Sequence, residues 1–143
     1  MKTEMKIMMA CALAVVTGLF TTIGHAQEDR WQVLRDDPTL RSGLTVFAVG
    51  RRIDRRCDDI SARPIRAYAF LQGLVNHAEG LGFTRDEIED YVEDEDEQDR
   101  YTEIARAYFA ERGVDWRDND GICRVGRDEI SSGSQIGRLL RGG

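Results

Sequence analysis

Histidine and cysteine are scarce in this 143-residue chain, which has two of the first and three of the second. His25 and Cys11 lie in the first 26 residues, so the remainder keeps His77, Cys57 and Cys123. Zinc sites of the usual types need several such ligands, so no metal centre is expected. No C-x-x-C pair occurs, and neither later cysteine has a histidine near it in sequence, so thiol redox catalysis lacks support. A G-x-S-x-G nucleophile elbow and a phosphate-cradling glycine loop are both missing. A Ser-His-Asp arrangement around His77 stays open, but a helix-surface histidine is the preferred reading. No cofactor is expected. No segment alternates with the period of a strand, and no repeat or low-complexity tract occurs. Lysine is absent beyond Lys6.

The one long apolar run, Ile7 to Phe20, spans fourteen residues. That is short of the roughly 20 residues a membrane span needs. Lys2 and Lys6 precede it, and Gly24-His25-Ala26 leads to polar Gln27. This is the pattern of a secretory signal, expected to be cleaved after Ala26. Residues 27–143 are therefore expected in the periplasm, without an integral membrane segment. The whole chain carries −6, and losing Lys2, Glu4 and Lys6 leaves −7, with every remaining basic side chain an arginine. Net negative charge argues against sequence-independent nucleic-acid binding. In an exported domain of this size, Cys57 and Cys123 are expected to form one disulfide. Closing so long a loop stabilises by about 4 kcal/mol on a chain-entropy model.

Residues 27–39 lack helical periodicity and read as an extended arm, with Trp31 tucked onto the domain. The rest, 40–143, reads as one compact all-α domain of four to five helices with a C-terminal tail. The first helix is expected from about Leu40 to Cys57, with Val46, Phe47, Val49 and Ile53 on one side. A second runs from about Ala62 to Leu81, capped by Ser61, and is broad enough in its apolar surface to be central. Thr84 and Glu87 form a capping box, and Phe83 and Ile88 a hydrophobic staple, at the head of a third helix. A fourth spans about Asp96 to Arg112. The last runs from about Gly121 to Ser131, with Asp120 as cap and Gly133 as stop.

Three constellations invite chemistry. Asp118-Asn119-Asp120-Gly121 suggests a calcium loop, but the positions that must carry carboxylates hold Trp116 and Arg127. The acidic run Glu93 to Glu97 reads as a solvated helix junction. Arg51, Arg52, Arg55 and Arg56 form the densest basic cluster. With Asp54, Asp58 and Asp59 interleaved, local pairing is expected, and an anionic partner is the sharper alternative. The tail Ser134 to Arg141 holds Ile136, Leu139 and Leu140, which must dock on the domain or enter a partner.

The segments Ser61-Ala62-Arg63, Arg66-Ala67, Cys123, Gly126-Arg127, Glu129-Ile130 and Gly133 to Leu140 resemble a family of small exported alphaproteobacterial proteins classed as a domain of unknown function. The resemblance covers about Leu40 to Arg141. Some similar proteins carry the label of an accessory NADH dehydrogenase subunit, which implies a membrane respiratory complex as partner. The resemblance supplies no catalytic residue. The expected function is thus a non-catalytic periplasmic interaction or accessory protein. Its contact residues are expected to be Arg51, Arg52, Arg55, Gln135, Ile136, Arg138, Leu139 and Leu140. A periplasmic acid-stress chaperone and an envelope-polymer hydrolase using paired carboxylates are the alternatives.

Overall fold

A computed structural model describes residues 30–142. The expected signal, residues 1–26, and the first part of the expected arm, 27–29, lie outside the described residues. Among the described residues seven helical segments and one small sheet occur. Residues 30–36 are helical (α1). There follow α2 (Pro38–Arg56), β1 (Ile60–Ala62), α3 (Pro64–Gly80), α4 (Arg85–Glu93), α5 (Glu95–Ala110), α6 (Asn119–Ser132), α7 (Gln135–Leu139) and β2 (Leu140–Gly142). The all-α expectation holds, and Cys57–Cys123 is a disulfide with its Cα atoms 5.5 Å apart.

The extended arm is a correction. Trp31 and Leu34 are buried on α1, and Trp31 meets Tyr91 edge-on at 5.5 Å. Arg30 fastens the segment by donating to the Gly82 carbonyl (2.9 Å) and pairing with Glu87 (2.8 Å). Asp37 then caps α2, accepting from the Leu40 N–H at 2.8 Å, with Pro38 in the first turn, where its missing N–H costs no helix bond. The packed unit thus begins before Leu40.

α2 is the axis of the fold. Its N-terminal half contributes Leu40 to a cluster with Trp31, Leu34, Leu74, Ala78, Phe83, Ile88 and Tyr91. Its C-terminal half contributes Val49 and Ile53 to a second cluster with Ile60, Ala105, Phe109, Ile122 and Val125. α3, expected to be central, buries only Leu74 and Ala78, while Ile65 is 84 % and Tyr68 66 % exposed. Its expected cap also moves. Arg63 occupies that place without a side-chain bond, and the Ser61 hydroxyl accepts from Arg141 Nε in the sheet. The capping box of α4 is present as read, with Phe83 and Ile88 in one cluster. α6 starts two residues earlier than expected, because Asp118 rather than Asp120 accepts the Gly121 N–H.

The sheet was invisible as a pattern. β1 and β2 pair antiparallel, Ile60 with Gly142, Ser61 with Arg141 and Ala62 with Leu140. Three-residue strands are too short to show alternation. They bring the tail home: Ile136, Leu139 and Leu140 are all buried, and Arg63 donates to the carbonyls of Leu139 (2.7 Å) and Leu140 (2.9 Å). Gly133 at φ 66° turns the chain, and the Ser134 hydroxyl accepts from Gly137 N–H to start α7. Gly137 lies so close to α6 that a Cβ there would sit 1.9 Å from the Glu129 carbonyl oxygen.

Candidate functional site: an arginine-ended groove

The two clusters on α2 leave its middle partly open. A groove of about 930 Å³ runs there, with α2 as floor and α3, α4 and α5 as walls. Leu44, Phe47, Leu71, Val75 and Tyr101 line it and are only half-buried. Tyr68 and Val92, both exposed, form lips. The volume lies within the range of binding pockets, about 300–1,000 Å³.

Arg51, Arg52 and Arg55 line the end of the groove near the C-terminus of α2. Arg52 lies over the Trp116 ring, its guanidinium carbon 3.8 Å from the centroid, and donates to the Trp116 carbonyl. Arg106 approaches the same ring at 5.1 Å. Arg52 Nε is buried without a hydrogen-bond partner. Burial, then the charges of Arg56 and Arg106, lowers its pKa from the ordinary arginine value. The expected local pairing does not occur. Asp59 instead pairs with Arg127 at 3.0 Å, and Asp54 accepts the Ala62 N–H at 2.7 Å. Among the described residues, no carboxylate pairs with Arg51, Arg52 or Arg55.

The other end is polar and self-contained. Glu97, expected on a solvated junction, is 2 % exposed. Arg35 Nε donates to its Oε1 at 2.8 Å, and Arg100 Nε lies 3.3 Å from its Oε2, out of hydrogen-bond alignment. Helical geometry explains the departure: Asp94 caps α5 and fixes Glu97 on the inward side. The hydroxyls of Tyr91 and Tyr101 meet at 3.3 Å. Burial, aided by Tyr101 and Glu97, raises the Tyr91 phenol well above its ordinary value, so it stays protonated. Glu89 also lines the groove, is exposed, and has no ion pair among the described residues.

The expected contact residues therefore separate. Arg51, Arg52 and Arg55 come together on the groove. Ile136, Leu139 and Leu140 do not join them: they are core, and as exposed binding residues they are corrected. Gln135 and Arg138 lie on α7, where Arg138 Nη2 donates to Gln135 Oε1 at 2.6 Å. His77, expected on a helix surface, is partly covered and bonds the Asp37 carboxylate at 3.1 Å, linking α3 to the head of α2. The groove-lining side chains Leu44, Leu71, Val75 and Tyr101 were not singled out as a site from the sequence. The available signal was the excess apolar breadth of α3 over what one contact face can bury. Among the described residues no group of three or more histidine, cysteine or carboxylate side chains is placed to hold a metal ion. No helix among them is long and apolar enough to cross a membrane.

Residues 32–141 match the model of a family of unknown function (DUF5333). No curated protein and no solved structure matches the chain.

Proposed function

The chain belongs to this family of unknown function (DUF5333), and we propose that it is a non-catalytic accessory protein of the periplasm. It works by holding a protein partner on the groove over α2. The carrying observation is the trio Arg51, Arg52 and Arg55, without carboxylate partners among the described residues at the end of an apolar groove. An unpaired cationic patch beside half-buried apolar side chains suits an interface better than a free surface. The signal pattern over residues 1–26 and the Cys57–Cys123 disulfide support export. The label of an accessory NADH dehydrogenase subunit on similar proteins supports a membrane respiratory complex as the partner.

The hydrolase reading finds less support. Of the two carboxyls lining the groove, Glu97 is enclosed by Arg35 and Arg100, which leaves Glu89 without an accessible second carboxyl there. The acid-chaperone reading draws on one observation: the Asp37–His77 contact ties α3 to α2 and weakens when Asp37 loses its charge in acid. Aggregation suppression that appears only in acid would favour it.

The test is photocrosslinking in cells from position 68 on the groove lip and from position 124 on α6. One stoichiometric partner from position 68, absent from 124, is expected. The same diffuse set from both positions would overturn the reading.

A further inference from the structure

The groove differs along its length. Arg51 and Arg55 stand exposed at one end, with no ion pair among the described residues. Ile88 and Tyr91 cluster with Leu40, which puts Glu89 toward the opposite end of α2. The remaining charges on the walls are already matched: Arg85 pairs with Glu79 at 3.0 Å, and Glu97 with Arg35 and Arg100. Between the ends lie Leu44, Phe47, Leu71 and Val75. The stretch of α2 from Leu44 to Arg55 is about 16 Å long at 1.5 Å per residue. That matches about three helical turns.

We propose that the groove receives an amphipathic helix of the protein partner, its C-terminal, carboxylate-bearing end seated against Arg51, Arg52 and Arg55. This rests on the reading of the groove as the docking face. A helix has a partial negative charge at its C-terminus and a positive one at its N-terminus. Arginines at one end and Glu89 at the other match that polarity. Side chains at i, i+3, i+4 and i+7 form the apolar stripe that such a floor accepts. A fatty acyl chain with its head on the arginines fits less well. Its far end would meet Glu89, Gln98 and the Tyr91–Tyr101 hydroxyls instead of an apolar pocket.

The test pans a phage-displayed library against the intact, oxidised chain. The displayed helices are about four turns long, with leucine fixed on one stripe and all other positions random. Enrichment of Asp and Glu in the last turn, and not in the first, is expected. The leading peptide, followed by tryptophan fluorescence, should lose about tenfold in affinity against an Arg51→Glu/Arg55→Glu variant, the size of two partly screened ion pairs. Both arginines are exposed and unpaired, and a thermal melt checks that the variant folds. Binding should also weaken with salt.

Enriched peptides without acidic order, or with unchanged affinity for the double variant, would overturn the proposal. If Tyr68→Glu still abolished their binding, the groove would remain the docking face. A library that enriches nothing would also overturn the proposal, and crosslinking from position 68 then judges the docking face alone. Dodecanoate competing with the leading peptide, and binding more tightly than it, would replace the helix by a lipid amphiphile.

Discussion

Leu140→Ala tests whether the C-terminal tail is structure or a free arm. Leu140 is 1 % exposed and shares a cluster with Val49, Ile53, Ile60 and Ile122. Truncation to alanine removes three carbons, about 2.4 kcal/mol of transfer free energy at 0.8 kcal/mol each. A cavity term adds to this where the site cannot collapse. Here β2 is held by its pairing to β1 and by Arg63 on the Leu140 carbonyl, so collapse is restricted. The expected loss is about 3–4 kcal/mol. For a domain of this size that lowers the melting temperature by roughly 10–15 °C. The assay is thermal and urea unfolding by circular dichroism with the disulfide intact. Arg138→Ala, exposed on α7, is the control and should stay within about 0.5 kcal/mol. A loss below about 1 kcal/mol at Leu140 would refute the reasoning, because a tail that leaves the core at so small a cost is available to a partner.

Replacing Cys57 and Cys123 by alanine should lower stability by about 4 kcal/mol on the chain-entropy model, read from urea midpoints with unchanged helical content at zero denaturant. Gly137→Ala should fail to fold or lose more than about 3 kcal/mol, since its Cβ would meet the Glu129 carbonyl rather than a movable side chain; expression and circular dichroism decide. Asp37 is pushed upward by burial, but the Leu40 N–H and His77 outweigh this and hold its pKa below 3.8. The unfolded chain therefore binds this proton first on acidification. The stabilisation is complete above the unfolded value and is lost as pH falls through the depressed folded one. Asp37→Asn keeps a capping side chain, so wild type should exceed it in urea midpoint at neutral pH and converge with it in strong acid. Arg51→Gln makes a net-negative chain more negative, which on whole-molecule repulsion destabilises it. Relief of local repulsion predicts no loss or a small gain in urea midpoint, and a clear loss would argue that Arg51 is structurally paired.

Local signals were legible where one short segment decides the outcome. Thr84 with Glu87, and Phe83 with Ile88, fix the head of α4 because capping box and staple are complete within six residues. Apolar side chains recurring every three or four residues placed α2 and α3. Periodicity, however, measures apolar breadth and not what covers it. α3 looked central, yet its neighbours cover only the face bearing Leu74 and Ala78. The tail was ambiguous for the same reason: Ile136, Leu139 and Leu140 could serve a core or a partner. A three-residue strand pairing across nearly the whole domain, beyond the reach of periodicity, settled it.

The arginine cluster shows why the site was only half legible. Sequence proximity offers Asp54, Asp58 and Asp59 to Arg51, Arg52 and Arg55, and surface pairs of this kind are common and weak. The fold redirects two of them. Asp59 lies beside Arg127, 68 positions away, because the disulfide brings α6 alongside the end of α2. Asp54 is taken by the backbone of β1. These two contacts take Asp54 and Asp59, and Asp58 forms no ion pair with the neighbouring arginines among the described residues. Helix polarity favours cations in the last turn, which accounts for Arg55 and Arg56. It gives Arg51 and Arg52 no such role, and Arg52 is moreover held partly buried against like charge. Arg52 offsets that cost within the fold, stacked on the Trp116 ring and donating to the Trp116 carbonyl, so the proposed anionic partner is asked chiefly of the exposed Arg51 and Arg55.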